Sequence, residues 1–355
     1  MKRVLLGMSG GVDSSVAAII LMEQGYEVIG ATMKLWDPED DEGQSKCCGD
    51  DSILDAKRVC DKLGIPHYTL NLKEEFKKCV IENFIEEYAN ARTPNPCIEC
   101  NKYLKFNYFF RKAMELGCDY IATGHYAKTE FSDKYNQVVL KKSNAGKKDQ
   151  SYVLYNIPKD IINKVLFPLG QFENKEQIRK IAKKHDLLTA KKPDSQEICF
   201  IPDDDYAKFL SKNGRVESKP GKIVDNQGNV LGTHKGLIHY TIGQRKGLGI
   251  AHETPLYVVK LDAQNNLLVV GDEKDIFSKE LYANNLNFTV YIKRDLPIKV
   301  NAKIRYGAKE AEATLFPEVN GKVKVEFETP QRAITKGQSV VFYIDDVLIG
   351  GGKII

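Results

Sequence analysis

The spacing of apolar residues along the first 120 positions predicts strands and helices in alternation. Four short apolar runs have the length of buried strands: 4–8, 26–33, 66–70 and 119–123. Four stretches repeat apolar residues at helical spacing: 16–22, 50–63, 74–91 and 101–116. This alternation predicts an α/β fold, a doubly wound, Rossmann-like parallel sheet with helices on its faces. Ligands of such sheets bind beyond the carboxyl ends of the strands.

The pattern changes after about residue 205. Short alternating segments replace the helical periods, and β-prone residues flank turns at 226–229, 265–266 and 320–321. We therefore expect the α/β domain at 1–205 to be followed by two smaller domains. These are a small central β-rich domain at 206–275 and a C-terminal β-barrel at 276–355.

The composition is that of an ordinary globular protein, with 355 residues, 42% hydrophobic and 28% charged. The formal net charge of +4 is too small to indicate a nucleic-acid partner by itself, so any basic surface must be local. Neither a run of membrane-spanning length nor a signal peptide opens the chain, so we expect a cytoplasmic protein without a membrane partner. Eight cysteines in that reducing compartment favour buried thiols, metal ligands or catalysis over disulfides.

A small-residue turn joins the first predicted strand to the first predicted helix. It comprises Gly7, Met8, Ser9, Gly10, Gly11, Val12, Asp13 and Ser14. Gly10 and Gly11 permit positive φ or close approach of a ligand, and Ser9, Asp13 and Ser14 are candidate helix caps. Main-chain N–H groups at such a helix start bind phosphate or pyrophosphate. Since neither a Gly-Lys-Ser/Thr sequence nor a G-x-G-x-x-G follows, γ-phosphoryl transfer is disfavoured.

Cysteines stand near a second predicted helix start, where Pro94 and Pro96 fix an extended entry before Cys97 and Cys100. This position predicts lowered thiol pKa values for both. A redox pair and a structural zinc site are alternatives. Cys199 lies in a later turn, where composition alone favours a buried thiol. We assign no role to Cys47 and Cys48, which lie in an acidic stretch, 34–52, that we expect to be a mobile loop near the nucleotide.

Polar residues follow the strand at 119–123, again on the expected ligand side of the sheet. Gly124 and His125 form a turn there, and Lys148, Asp149 and Gln150 stand in a cationic segment further along the chain. A lone histidine is usually structural and a lysine run is usually a solvated surface. An amide beside lysines also suits contacts to phosphates and bases.

Six motifs together resemble one family. They are Ser-Gly-Gly-Val-Asp-Ser at 9–14, Thr-Pro-Asn-Pro-x-x-x-Cys-Asn at 93–101, Ala-Thr-Gly-His-Tyr at 122–126, Lys-Asp-Gln-Ser-Tyr at 148–152, Ile-Cys-Phe-Ile at 198–201 and Gly-Gln-Arg-Lys-Gly-Leu-Gly at 243–249. The first resembles the pyrophosphate loop of PP-loop ATP pyrophosphatases, which split ATP between the α- and β-phosphates. In this order, across nearly the whole chain, the set resembles the MnmA-type tRNA 2-thiouridylases.

The resemblance implies an activity and a set of ligands. Such enzymes replace the C2 oxygen of the wobble uridine by sulfur in the glutamate, glutamine and lysine tRNAs. They use ATP with Mg²⁺ and a persulfide delivered by a cysteine desulfurase or a sulfur-relay protein. By matching motif, Cys100 resembles the family's nucleophile and Cys199 its persulfide carrier.

The resemblance also implies binding residues. ATP is expected at the loop 7–14 and at the backbone near Met33 and Gly124, with Asp13 a candidate for the Mg²⁺ shell. Residues expected to face tRNA are Asn95, Pro96, Cys97, His125, Lys148, Asp149, Gln150, Arg305, Tyr306 and Gln338. Lys235, His239, Arg245 and Lys246 look like further RNA-facing groups, although surface hairpin residues are the plainer interpretation.

One departure from the family concerns Cys97. Many members have aspartate there, and that carboxylate is thought to accept the uridine N3 proton. Cys97, Cys100 and Cys199 together offer three thiolates for a [4Fe–4S] cluster with an open iron, which we prefer over a cluster-free persulfide route. Cys97 without a role is the third interpretation.

Two other classes of function stay open. A PP-loop synthetase that adenylates a small molecule would keep the loop but need no sulfur chemistry. A non-catalytic nucleotide- or RNA-binding protein would bind ATP without forming AMP.

Overall fold

A computed structural model describes residues 1–36, 50–192, 198–201, 205–213, 218–292 and 297–355. The expected loop at 34–52 lies largely outside these residues, and so do Cys47 and Cys48. No helix within the described ranges is long and apolar enough to cross a membrane.

The first sheet is parallel and five-stranded, in the order β3-β2-β1-β4-β7. Its strands are β1 Arg3–Gly7, β2 Glu27–Lys34, β3 His67–Asn71, β4 Tyr120–Ala122 and β7 Val165–Leu166. The central strand β1 is apolar because both of its faces are covered, and Val4, Leu5 and Leu6 are fully buried. The chain leaves β1 between β2 and β4, where the strand order reverses and ligands of such sheets bind. The predicted doubly wound sheet is therefore confirmed.

The helices of this part are α1 Val12–Glu23, α2 Asp50–Leu63, α3 Lys73–Phe76, α4 Glu82–Ala89, α5 Pro96–Glu99, α6 Phe109–Glu115, α7 Lys175–Lys184 and α8 Tyr206–Lys212. Two π-helical segments, Lys77–Ile81 and Cys100–Tyr108, join α3 to α4 and α5 to α6. Apolar periodicity predicts the helical stretches 74–91 and 101–116 but does not reveal the π-helical segments within them. Such segments are often found at functional sites. Short 3₁₀ turns occupy Gly146–Lys148, Ser151–Leu154, Lys159–Lys164, Leu188–Lys191, Leu237–His239, Glu273–Ile276 and Val319–Gly321.

The central sheet has four strands in the order β10-β11-β8-β9. They are β8 Gly221–Val224, β9 Val230–His234, β10 Tyr257–Asp262 and β11 Leu267–Gly271. Their core is small, with Ile223, Val258, Leu268 and Val270 fully buried. The predicted turns at 226–229 and 265–266 each join two of these strands in antiparallel pairing.

The C-terminal strands close into a six-stranded antiparallel barrel, as expected from the sequence. They are β12 Phe277–Phe288, β13 Ile298–Lys303, β14 Ala311–Pro317, β15 Val323–Arg332, β16 Ser339–Ile344 and β17 Val347–Ile354. Pairing of β12 with β17 closes the barrel, which removes its exposed edges.

A hairpin from the first part of the chain joins this barrel. Strands β5 Ala127–Ser132 and β6 Gln137–Lys142 extend the barrel sheet to eight strands through the pairing of Lys141 with Val347. This hairpin is not among the elements predicted from the sequence. Since it follows Gly124, His125 and Tyr126 directly, the barrel is attached beside the ligand edge of the parallel sheet.

A buried ion pair also joins the barrel to the helical layer. Glu87 is 3% exposed, and its carboxylate lies 2.7 Å from the Arg92 guanidinium and 3.0 Å from Nζ of Lys353 on β17. A buried carboxylate needs such partners because desolvation is costly.

We expect Lys353→Met to lower the free energy of unfolding by about 1–3 kcal/mol, because Glu87 stays buried with one cation fewer. Lys274→Met is the matched control, since Lys274 and Asp272 are 79% and 55% exposed and 3.7 Å apart. Urea unfolding measures both variants. Equal midpoints for the two would show that the buried pair adds nothing to stability.

Candidate active site

The loop between β1 and α1 leaves the helix start open. Gly10 has φ +67°, and a Cβ there would lie 2.4 Å from the Ser52 carbonyl oxygen. Gly11 is the N-cap, with φ −99°, and no side chain among the described residues caps α1. The prediction that Ser9, Asp13 or Ser14 caps the helix is therefore wrong. The first-turn N–H groups face the place where an anion would bind.

The Ser14 hydroxyl tightens this loop from within. It accepts a hydrogen bond from the Ser9 N–H and donates to the Gly11 carbonyl, each at 3.2 Å. Gly124 packs against the same turn, because a Cβ there would lie 3.1 Å from the Ser14 nitrogen. Ala31 pairs with Gly7, which places Met33 two residues further along β2. Loop 7–14, Met33 and Gly124 thus share one edge of the sheet, as expected.

Two lysines that were not among the predicted site residues flank the loop. Nζ of Lys175 lies 2.9 Å from Oδ2 of Asp13, whose Oδ1 accepts a hydrogen bond from the Tyr126 hydroxyl at 2.9 Å. Nζ of Lys192 donates to the Gly10 carbonyl at 3.1 Å and to Asp55 at 2.9 Å. Lys175 lies within the basic helix 174–187 and Lys192 follows it, and composition alone does not distinguish either from the other cations there.

His125 is held in its neutral form. Its Nδ1 lies 2.8 Å from the Thr123 hydroxyl, and its ring packs edge-on against Phe167. Burial lowers the pKa of His125 well below its usual value, and the charge of Lys105 adds to this effect. A neutral imidazole offers stacking and a hydrogen bond, but no positive charge, to a bound nucleotide.

The cysteines occupy different environments. Cys97, on the short helix α5, is exposed, whereas Cys100 begins the π-helical segment and is buried. Burial raises the pKa of Cys100, and the nearby charge of Lys105 only partly offsets this. The predicted lowering of its pKa at the helix start is therefore wrong, because loss of solvent outweighs the helix dipole.

Cys199 packs against the same apolar cluster as Cys100. The cluster includes Leu35, Phe76, Phe84, Leu104, Phe200 and Ile201, and Met33 packs against its edge. The structure thus brings two of the three selected cysteines to one cluster beside the nucleotide edge.

The described residues contain no group of three or more His, Cys, Asp or Glu side chains that could hold a metal ion. All three selected cysteines lie within those residues, so their arrangement does not fit the ligands of an iron–sulfur cluster.

The segment around Lys148 is held by internal hydrogen bonds. Asp149 accepts from the main chain and the hydroxyl of Ser143, at 2.7 and 3.2 Å, and from the Ser151 hydroxyl at 2.5 Å. Gln150 bonds the main chain of Tyr126. Lys148 is exposed, but Asp149 and Gln150 use their side chains to shape the segment.

The barrel residues lie above the Thr-Pro-Asn-Pro segment. Nε2 of Gln338 donates to the carbonyls of Thr93 and Pro94 at 2.9 and 3.3 Å, so Asn95 and Pro96 start α5 beneath the barrel. Tyr306 is 41% exposed, and its pKa is raised first by burial and then by Asp149 and Cys97.

An open cleft on the barrel begins next to Tyr306. It is lined by Ile304, Arg305, Ala308, Lys309, Glu310, Ala311, Thr329, Gln331 and Arg332. The Arg305 guanidinium donates to the Ala333 carbonyl, and burial lowers its pKa without removing its charge. The cleft therefore offers three cationic side chains to a polyanion.

Comparison with known proteins identifies the family. Protein-family models match residues 2–203 as a tRNA methyl transferase HUP domain, 207–272 as a tRNA methyl transferase PRC-barrel domain and 278–354 as an aminomethyltransferase beta-barrel domain. A tRNA-specific 2-thiouridylase MnmA from Acetivibrio thermocellus is 55% identical over 99% of this chain and 99% of its own length. The chain belongs to the MnmA family. Members from Clostridium botulinum (strain Alaska E43 / Type E3) and Clostridioides difficile are 54% and 50% identical, over 99% of this chain and 98% of theirs.

Membership confirms the resemblance drawn from the six motifs, and it disfavours a small-molecule synthetase or a non-catalytic binding protein. The family uses ATP, which supports ATP binding by this chain, and binding of its phosphates at the open helix start after Gly11 stays a prediction.

We expect Gly10→Ala to abolish ATP binding, because its Cβ would collide with the Ser52 main chain and displace the loop. Gly64→Ala is the matched control: Gly64 has the same φ, +67°, and a Cβ there would meet nothing within 4 Å. Both variants should lose about 1 kcal/mol of stability from the left-handed backbone. Isothermal titration with ATP separates the two effects, and equal affinities would contradict the expected displacement.

Alkylation tests the raised pKa of Cys100. Because only the thiolate reacts, the rate with iodoacetamide should rise about tenfold per pH unit between pH 7 and 8.5. Lys105→Met should slow the reaction further, since Lys105 lowers this pKa. Mass spectrometry after cleavage at Glu99 separates the Cys100 peptide, which gives the rate, from the peptide of the exposed Cys97, which is the internal control. A plateau below pH 8 would show a lowered pKa instead.

Proposed function

We propose that this protein is a tRNA-specific 2-thiouridylase that acts on the wobble uridine of glutamate, glutamine and lysine tRNAs in the cytoplasm. ATP activates the C2 oxygen, and sulfur then replaces it. The observation that carries the proposal is the position of Cys100 and Cys199, which share an apolar cluster at the edge of the sheet that carries the pyrophosphate loop.

ATP is needed because the C2 carbonyl of uracil is a poor electrophile and its oxygen does not leave as hydroxide at neutral pH. Transfer of AMP to that oxygen makes it a leaving group, and pyrophosphate departs into the loop 9–14. The first-turn N–H groups of α1 stabilise the charge that develops there. Lys175 lies beside them at Asp13 and adds a cation.

Mg²⁺ fits this site as the partner of one carboxylate and the ATP phosphates. Asp13 would hold it, because each carboxylate oxygen has a second lone pair besides the one used by Lys175 or Tyr126. When bound, the ion neutralises phosphate charge. The base must also leave the anticodon stack to reach this pocket, which costs a few kcal/mol. Contacts of the tRNA with the cationic cleft on the barrel offset that cost.

We propose the persulfide route for the sulfur step, with a cysteine desulfurase or a sulfur-relay protein as donor. The Cys199 persulfide carries the sulfur, and the Cys100 thiolate attacks Sγ of Cys199. A Cys100–Cys199 disulfide forms, and hydrosulfide leaves, attacks C2 and displaces AMP. A thiol reductant then restores both thiols by thiol–disulfide exchange. The apolar cluster buries Cys100 and leaves Cys199 partly exposed.

Cys97 stands where many relatives place the base for the N3 proton. It is exposed on α5 and electrostatically coupled to Tyr306 of the barrel, so it lies on the side from which a base would enter. We therefore propose that Cys97 faces the uridine, and we replace the cluster interpretation by this one.

The decisive assay is 2-thiouridine formation from unmodified glutamate tRNA with ATP, cysteine and a cysteine desulfurase. Iron-free enzyme should form AMP and 2-thiouridine, and Cys199→Ser should still form AMP without 2-thiouridine. Cys97→Asp should keep at least wild-type activity, because a carboxylate accepts the N3 proton. Mass spectrometry of digested tRNA and iron analysis give both readouts.

The same assay also gives the results that would contradict these proposals. Activity that requires iron and sulfide reconstitution, and that Cys97→Asp loses together with iron, would overturn the persulfide route. ATP–pyrophosphate exchange that a metabolite stimulates and tRNA does not would overturn the tRNA function itself.

A further inference from the structure

Tyr126 connects the ATP loop to a different part of the fold. It is 4% exposed, and its hydroxyl donates to Oδ1 of Asp13 at 2.9 Å. Lys175 holds the other carboxylate oxygen at 2.9 Å. A hydrogen bond to an ionised carboxylate is about twice as strong as a neutral one, so these two contacts together fix the orientation of Asp13.

Gln150 fixes the main chain of Tyr126 in both directions. Oε1 of Gln150 accepts from the Tyr126 N–H at 2.9 Å, and the Gln150 N–H donates to the Tyr126 carbonyl at 2.8 Å. A shift of Gln150 therefore moves Tyr126, and with it the hydroxyl on Asp13.

The residue after Gln150 is bonded to the barrel. The Ser151 hydroxyl lies 2.5 Å from Oδ2 of Asp149 and 3.0 Å from the Tyr343 hydroxyl. A carboxylate only accepts, so Ser151 donates its single proton to Asp149 and accepts from Tyr343. Ser151 and Tyr343 are buried, at 0% and 1% exposure, so water does not replace these bonds.

The series continues to the cationic cleft of the barrel. Nζ of Lys142 lies 4.6 Å from the centre of the Tyr343 ring and 2.7 Å from Oε2 of Glu310, which lines the cleft. An RNA phosphate drawn to the cleft arginines would repel Glu310 and change its pairing with Lys142. Each step from Glu310 to Asp13 is then a defined contact between described residues.

We propose that Tyr126 is a positioning residue for Asp13 and that, through Gln150, Ser151 and Tyr343, it couples tRNA on the barrel cleft to ATP on the pyrophosphate loop. This inference rests on the proposed function for its RNA ligand. Its content is a coupling free energy: tRNA raises the affinity for ATP, and ATP raises the affinity for tRNA by the same factor.

The test measures binding without catalysis. α,β-Methylene-ATP cannot be split between its α- and β-phosphates, and its dissociation constant is determined with and without saturating unmodified glutamate tRNA. In the wild type we expect tRNA to tighten nucleotide binding at least fivefold. Tyr126→Phe and Tyr343→Phe should each remove most of this factor, whereas tRNA affinity without nucleotide stays within twofold of the wild type.

The double variant should lose no more coupling than either single one, because the two hydroxyls act in one series. Tyr155→Phe is the matched control. Its hydroxyl lies 3.1 Å from that of Ser339 on the barrel, equally buried but outside the series that leads to Asp13. It should keep the wild-type coupling factor, and thermal unfolding confirms that all variants are folded.

Three outcomes overturn the inference: no coupling in the wild type, full coupling in Tyr126→Phe, or the same loss in Tyr155→Phe as in Tyr343→Phe. The last would assign the effect to a loosened domain junction. Failure of the proposed function is a separate result, since it would show as no tRNA-dependent AMP or 2-thiouridine in the wild type.

Discussion

The open helix start after β1 is the constraint on which the rest of the site depends. It exists because Gly10 adopts a left-handed backbone conformation, at φ +67°, in contact with Ser52, where a side chain has no room. A capping side chain would satisfy the first-turn N–H groups and stabilise α1 by about 1 kcal/mol. This chain omits the cap and keeps those donors for an anion. The loop thus gives up the stability of a cap, and Gly124 and Lys192 contact it from outside.

The sulfur step proposed for Cys100 depends on the opposite constraint. Cys100 sits in an apolar cluster, and burial keeps its thiol protonated at neutral pH. A protonated thiol resists oxidation and unwanted alkylation, because the thiolate is the reactive form. The charge of Lys105, five residues further along the π-helical segment, lowers the pKa of Cys100 and so opposes the effect of burial. Reactivity is therefore set by the balance of desolvation and one cation.

Much of this arrangement could be predicted from the sequence, and the reason differs from part to part. The strand β1, the helix α2 and the loop between glycines follow from local patterns of apolar residues and small residues. The raised pKa of Cys100 could not be predicted, because the burial of this thiol depends on Phe76 and Phe200, which are distant in the sequence. Lys175 was missed for a similar reason: it reaches Asp13 across 162 residues, and nothing local marks it among neighbouring lysines. The hairpin of β5 and β6 completes a sheet whose other strands lie after residue 276, so its stability is nonlocal.

The hairpin of β5 and β6 attaches the barrel firmly to the α/β domain, and the two-step reaction needs such an attachment. The reaction needs the uridine C2 oxygen in contact with the ATP α-phosphate and then a sulfur atom in contact with C2, and misplacement by about 1 Å is costly. A barrel on a flexible linker would hold tRNA without fixing its uridine. Here β6 pairs with β17, Gln338 bonds Thr93 and Pro94 above Cys97, and Glu87 pairs with Lys353. The contacts of Gln338 join the barrel to the segment that carries Cys97, so the barrel lies beside the candidate active site.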